Sequence, residues 1–314
     1  MPCLLCYNHT KPYFNYGRYT NQPYRLVRCG ACGLVQTEPM PTGEFLREWY
    51  QRYDVLGERE PYYQVLTGAH PLDTSEGMDI ARRFGWVKRA MANCAAQIAN
   101  RPDDTRLAIG DKPKVLDVGS GPGVFLDLVR RAGWEGIGVE LNYRAAAASR
   151  ERYGIDVREG ALESVGLPRE SFDVVTLWDI VEHVRDPRRL LERAHALLAP
   201  GGALFIETPN SAALLDRAAI MLARFGIPRP AATFYGVHHL TLWNQKNIRR
   251  LLESIGFRVE AITLDTTPAG RVFRGVSLHD RLMRFGVSTI QNIGKLLRRE
   301  NKMIITSRKT TAPH

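Results

Sequence analysis

At 314 residues the chain can hold one α/β domain of about 200 residues plus additions, and it can bury a full hydrophobic core. Its start lacks a basic segment followed by an apolar one, and no stretch approaches the ~18 apolar residues a spanning helix needs, so the expected setting is cytoplasmic. The net charge of +10 is unevenly placed: residues 271–314 carry ten Lys or Arg against two acids, Asp280 and Glu300, whereas the remainder holds 33 bases against 31 acids. Such a basic tail suits nucleic acid, anionic lipid or an acidic substrate, and equally a solvated face.

Four of the five cysteines form two knuckles, Cys3-x-x-Cys6 and Cys29-x-x-Cys32. A two-residue gap lets both thiolates of a knuckle point at one tetrahedral ion, so the spacing predicts a zinc ribbon, with disulfides as the competing arrangement. Four cysteines leave no open position for water, which makes the expected ion structural. Tyr24–Val27 and Leu34–Gln36 read as strands around the second knuckle, and residues 44–56 as a short helix. Tyr13, Tyr16, Tyr19, Tyr24, Tyr50, Tyr53, Tyr62 and Tyr63 make this region aromatic, a pattern that fits core packing, a pocket lid or base stacking. Residues 1–70 thus form a ribbon segment with an aromatic extension, and 77–314 a second unit.

Residues 77–99 repeat apolar side chains at helical spacing, with Cys94 as a packed thiol, and a polar linker over 100–111 follows. Val115, Leu116 and Val118 then read as a buried strand; Gly119, Gly121 and Gly123 make a turn; Val124, Phe125, Leu128 and Val129 resume helical spacing. A second strand over Ile137–Val139 ends in Glu140, where a Rossmann-type site sets a carboxylate against ribose hydroxyls. Further on come a helix over Tyr143–Tyr153, strands over Ile155–Arg158 and Ser171–Trp178, a helix over Leu190–Leu198 closed by Pro200-Gly201-Gly202, and a strand over Ala203–Thr208. This alternation demands a Rossmann-like, doubly wound and mostly parallel sheet. An apolar insertion over 211–240 reads as a lid, and 271–300 as a basic amphipathic segment between two last strands, Arg258–Leu264 and Met303–Thr306; either of 211–230 and 271–300 could meet a membrane surface.

Asp117-x-Gly119-x-Gly121-x-Gly123 resembles motif I of the class I S-adenosylmethionine (SAM) methyltransferases. Phe172-Asp-Val-Val-Thr-Leu-Trp-Asp-Ile-Val-Glu-His183, Asp186-Pro187, Leu197-Leu-Ala-Pro-Gly-Gly202, Glu207-Thr-Pro-Asn210 and His238-His239-Leu240 through Phe257 are similar to the successive motifs of the ubiquinone-biosynthesis-like group. The resemblance implies SAM as cofactor and an antiparallel final strand. It also implies roles: Asp117, Gly119, Gly121 and Gly123 at the amino acid end, Glu140 on the ribose, Leu141 and Ala161 beside the adenine, and Trp178 with Asp179 closing the site. His238 and His239 are the candidate bases, with His183 of the Glu182-His183 pair as a further candidate, since an imidazole titrates near neutral pH. No three ligands in this core stand at a metal spacing, so no catalytic metal is expected.

The expected activity is O-methylation of a sugar, surface glycan or other small metabolite, as in polysaccharide biosynthesis. Three alternatives stand beside it: an RNA methyltransferase gripping its substrate with ribbon and basic tail, a sugar C-methyltransferase, for which the Cys-x-x-Cys knuckles supply a resemblance, and a non-enzymatic scaffold that keeps the fold.

Overall fold

The computed structural model describes residues 2–15, 23–57, 67–99, 112–227, 230–231, 238–272, 275 and 277–310, and their side chains except at 52–57, 93–99 and 272. The expectations for Cys94, for Tyr16, Tyr19, Tyr53, Tyr62 and Tyr63, and for the 100–111 linker therefore lie outside the described parts. Chain order begins with three strands, β1 (Thr10–Phe14), β2 (Arg25–Cys29) and β3 (Val35–Glu38), then helix α1 (Gly43–Gly57), a 3₁₀ turn over Pro71–Asp73 and the long helix α2 (Ser75–Ala99). The alternating unit follows: β4 (Lys114–Val118), α3 (Val124–Arg131), β5 (Glu135–Glu140), α4 (Tyr143–Tyr153), β6 (Asp156–Glu159), β7 (Phe172–Trp178), α5 (Pro187–Leu197) and β8 (Leu198–Pro209). The last third adds α6 (Leu214–Arg224), the two-residue β9 (Thr241–Leu242), α7 (Gln245–Ile255), β10 (Phe257–Asp265), a short α8 (Ala269–Val272), α9 (Leu278–Leu296) and β11 (Lys302–Lys309).

Seven strands form the main sheet in the order β10-β11-β8-β7-β4-β5-β6. β4 pairs parallel with β5 and β7, β5 with β6, and β7 with β8, while β11 runs antiparallel to both β8 and β10. The antiparallel last strand is as expected, and it inserts between β8 and β10. The chain leaves β4 toward β5 and β6 on one side and returns through β7 to β8 on the other, so the topological switch lies between β4 and β7, where open α/β sheets bind ligands at their strands' carboxyl ends. Leu116, Val175, Leu177, Leu204 and Ile206 are fully buried on this sheet, and α5 and α7 cover them with Leu191, Leu197, Ile248 and Leu252. Each such side chain contributes about 1.5–3 kcal/mol by leaving water.

One boundary moved. The helix expected to reach Leu198 ends at Leu197, and Leu198 already pairs with Phe172 of β7. The register then shifts before Val174 pairs with Ala203, so Pro200 and Gly201 are taken up as an irregularity in β8 instead of a free turn.

The ribbon is not a bead on a string. β1, β2 and β3 form an antiparallel sheet whose fourth strand is β9, contributed by the segment directly after His239: Val35 pairs with Leu242 and Gln36 with Thr241. Cys3, Cys29 and Leu34 share one core with Trp243, just after β9, with Ile248 of α7 and with main-sheet residues such as Leu204 and Ile206. Among the described residues no helix is long and apolar enough to cross a membrane.

Candidate active site

A cavity of about 430 Å³ opens at the carboxyl edge of the sheet, above the β4–β7 switch. Asp117, Gly119, Gly121, Glu140, Leu141, Ala161, Trp178 and Asp179 all line it, as do the three expected histidines. Gly123 does not. It caps α3 at φ 82°, and a Cβ there would stand 2.0 Å from Ser149 Oγ on α4, so this glycine serves the packing of α3 against α4. Gly119 has φ 72°, and its missing side chain leaves room for Ile180 of the facing loop.

The Glu140 carboxylate is held by two backbone donors, with Gly121 N–H on Oε2 at 2.8 Å and Asn142 N–H on Oε1 at 2.8 Å. This fixes the carboxylate at the tip of β5, in the lining of the cavity. Asn142 also caps α4, accepting from Arg144 N–H and Ala145 N–H, and donates to the Tyr50 carbonyl at 3.2 Å, which ties α1 to the rim. Below the glycine loop Asp117 is buried and accepts from Thr176 Oγ1 at 2.6 Å. Burial pushes its carboxyl up to about 7, against the opposing pull of Thr176 and Arg83.

Sequence reasoning missed Arg83. It reaches from α2 into the cavity wall, donates to Asp179 Oδ2 at 2.5 Å and to Glu207 Oε1, and lies 5.4 Å from the Trp178 ring centroid. Lys302 Nζ completes the network on Glu207 Oε1 at 2.7 Å. Burial raises the Asp179 carboxyl, but the charges of Arg83 and Lys302 outweigh it and hold it below the usual range. Trp178 Nε1 and Ser120 Oγ are buried at the cavity without hydrogen-bond partners in the described structure, donors that a polar ligand would satisfy.

The other end of the cavity is aromatic. Trp49 and Tyr50 of α1 line it beside His183, His238 and His239. The His183 and His238 rings stack at 5.3 Å, His239 sits 4.9 Å from His183 and 4.5 Å from His238, and Trp49 stacks on His238 at 6.1 Å. Thr37 of β3 fastens this segment from the ribbon side: its Oγ1 donates to the His239 carbonyl at 3.1 Å and its N–H to the Leu240 carbonyl at 2.9 Å. Burial, reinforced by the neighbouring ring, drives His183 and His238 down to about 3, away from the near-neutral titration expected of them. Glu182 is buried behind them, and burial together with Asp179 raises its carboxyl well above the usual value. The expectation that no three ligands gather is likewise corrected. One donor atom from each of these histidines lies within 4.8 Å of the others, a grouping that sequence spacing hid because His183 follows β7 and the pair precedes β9.

At the ribbon, Cys3 Sγ lies 3.5 Å from Cys32 Sγ, Cys6 Sγ lies 3.5 Å from Cys29 Sγ, and all four sulfurs fall within 4.8 Å of one another. These are free thiols, too far apart for a disulfide, and about 3.8 Å is the S···S distance around a tetrahedral zinc with 2.3 Å bonds, so the group fits that ion. Among the four thiols, burial raises Cys3 and Cys32, whereas at Cys6 the upward push of burial is outweighed by hydrogen bonds, those from Asn8 among them, that bring it down to about 6.

A family model described as "Methyltransferase domain" matches residues 88–262, more than half of the chain. The chain belongs to that methyltransferase domain family. Among similar proteins, a "Probable S-adenosylmethionine-dependent methyltransferase" of Mycolicibacterium smegmatis is 31% identical over 178 residues, 56% of this chain and 62% of the relative. A "Ubiquinone biosynthesis O-methyltransferase" of Leptothrix cholodnii is 33% identical over 184 residues, 56% of this chain and 66% of the relative. The chain thus spans less than two thirds of the length of each. A solved structure from Galdieria sulphuraria, described as a candidate sarcosine dimethylglycine methyltransferase, is 16% identical, covers 84% of this chain and 98% of its own, and superposes with a TM-score of 0.52, a likeness of fold alone. In this methyltransferase domain the glycine loop, the Glu140 carboxylate and apolar walls that include Leu141 and Ala161 occur in one continuous cavity lining.

Proposed function

We propose that the protein transfers the methyl group of SAM to a hydroxyl of a small acceptor, a sugar, surface glycan or phenolic metabolite. The observation that carries this reading is a single cavity lined at one end by Gly119, Gly121 and Glu140 and at the other by His183, His238 and His239. Methyl transfer from a sulfonium is an in-line displacement, so most of the catalysis is positioning, and one cavity holding both partners supplies it. We assign Gly119, Gly121 and Arg83 to the amino acid end, Glu140 to the ribose, Leu141 and Ala161 to the adenine, and the place of the acceptor hydroxyl to the end lined by the histidines. Zinc at the four cysteines has a structural role: it keeps β1–β3 folded, and through β9 it keeps the histidine segment in place.

The acceptor class is supported by the relatives' O-methyltransferase names and by the aromatic wall of Trp49 and Tyr50, which suits the flat or apolar face of a sugar or aryl ring. The RNA reading is weaker because the basic tail is partly internalised: Arg271 is paired with Asp79 and Glu76, Lys302 with Glu207, Arg308 with Glu260 and Lys309 with Glu170. The test is label transfer from methyl-labelled SAM into a host extract, separated into RNA, protein, glycan and small-molecule fractions. Label in the glycan or small-molecule fraction agrees with the proposal, and label confined to RNA contradicts it.

A further inference from the structure

We propose that His183, His238 and His239 form a binding site for a divalent transition-metal ion, with an open coordination position facing the acceptor end of the cavity. The inference rests on the methyl-transfer reading for its chemistry, though not for its geometry. One donor nitrogen from each imidazole lies within 4.8 Å of the other two. Around a zinc-sized ion with bonds of about 2.0–2.1 Å, neighbouring nitrogens stand about 3.4 Å apart, so small ring rotations close the site.

Orientation of the rings agrees. His183 Nδ1 lies 3.0 Å from the His238 carbonyl, and as the N–H donor of that bond it leaves Nε2 with its lone pair free, the second contact by which protein sites fix a ligating imidazole. That Nε2 faces Glu182 Oε1 at 3.8 Å. His238 Nδ1 is buried with no hydrogen-bond partner, and so is Glu182 Oε1. Two orphaned polar atoms in one buried cluster are what a missing cation would leave, since buried polar atoms are otherwise almost always paired. Thr208 Oγ1 holds the other oxygen of Glu182 at 3.0 Å, and Thr37 holds the His239 backbone, so the donor set is braced from two elements.

Three imidazoles select zinc, cobalt, nickel or iron(II) over magnesium and calcium, which prefer oxygen. Three protein ligands leave a position for water or substrate, unlike the closed set of four cysteines. The acceptor hydroxyl would occupy it. Bound to the ion, the O–H loses its proton to water at neutral pH; the oxygen's electron pair forms the new C–O bond as the C–S bond breaks, its electrons passing to sulfur to give the neutral thioether, and the ether leaves the ion. Hydroxyls of phenols or sugars that bind as their anions are therefore the acceptor class.

The test is cobalt(II) titration of the purified full chain, first stripped of metal at the open site with a mild chelator and with zinc retained at the cysteines. Metal content and visible absorption are read together. The expected result is one further equivalent of cobalt per chain, giving weak visible bands without sulfur charge-transfer absorption, and its loss in the His238→Ala/His239→Ala double variant. His239→Gln alone, read beside its thermal unfolding, should weaken cobalt binding at least tenfold, so the outcome does not depend on the double variant folding. Absence of this equivalent in the wild-type chain, or its persistence in both folded variants, would overturn the site. Calorimetric SAM binding on the same samples separates the two claims: a chain that binds cobalt but not SAM retains the metal site and loses the methyl-transfer reading, and a chain that binds SAM but no cobalt does the reverse.

Discussion

Asp117 is a buried carboxyl beneath the glycine loop whose environment links folding to pH. Its folded-state carboxyl titrates at about 7, whereas in the unfolded chain it takes the ordinary carboxylate value, near 3.9. A raised carboxyl binds its proton more tightly in the folded state, so its contribution is fully present below the unfolded value and is lost as pH rises through about 7. Asp117→Asn keeps the shape without the ionisation. The variant's stability relative to wild type should therefore climb between pH 4 and pH 7 and level off above, as measured by denaturant unfolding at several pH values; a flat difference across that range would show that Asp117 is not perturbed. Gly123 allows a second check at this scale. A Cβ there meets Ser149 Oγ at 2.0 Å on backbone with φ 82°, so Gly123→Ala should lower stability by about 2–3 kcal/mol, whereas a pure ligand-contact role would leave unfolding unchanged. The residues on one short run, Asp117 to Glu140, were legible in sequence because strand, turn and acid are neighbours in the chain. Arg83 was not: the apolar periodicity of its helix says only which face is buried, and its pairing with Asp179 and Glu207 is created by the fold.

Elements carry the coupling between the ribbon and the histidines. The strand expectations around the second knuckle were met by β2 and β3, but β1 and β9 were missed. β9 is two residues long and has no periodicity to read, and its partner lies some two hundred positions away. That pairing has a consequence. Cys29→Ser removes a sulfur that is 1% exposed and one corner of the cysteine group, so β1–β3 should loosen and release the Thr37 bonds to the His239 segment. Loss of bound zinc should be accompanied by a change in Trp emission as Trp49 leaves His238. Zinc loss with unaltered emission would mean that the ribbon does not brace the site. Asn244 caps α7 with a full capping box just beyond β9, and Asn244→Ala should cost about 1 kcal/mol in thermal unfolding.

At the scale of the whole molecule, β8 and β10 both end at the carboxyl edge where the cavity opens, and the two insertions, α6 and α9, leave from those ends. They pack together where Leu214 N–H meets the Arg299 carbonyl. Expected lid and basic segment are thus one structure, although residues 228–229, 232–237, 273–274 and 276 lie outside the described parts. Helix α9 turns Leu278, Leu282, Phe285, Ile293 and Leu296 to solvent at spacings of three, four and eight, with Phe285 75% exposed, and Phe225 beyond α6 is 80% exposed. Arg281, Lys295 and Arg298 flank this stripe. We propose that it makes peripheral contact with an anionic bilayer, which would complement both its apolar and its basic character. The chain should co-sediment with phosphatidylglycerol vesicles at low salt, and Leu282→Glu/Phe285→Glu should abolish this; equal binding by that variant would contradict the assignment. The parallel core followed from the alternation of strands and helices, whereas the strand order and this shared face did not, the latter because it depends on two segments some sixty residues apart meeting beyond the last strands.

The account turns on SAM occupying the cavity above the β4–β7 switch with its ribose on Glu140. Isothermal titration of the purified chain with SAM measures this directly, alongside Glu140→Ala. The account predicts saturable binding at one site per chain, weakened at least about tenfold, or ~1.4 kcal/mol, by the substitution. A folded chain that takes up no SAM, or a Glu140→Ala variant that binds it as tightly as wild type, would contradict it.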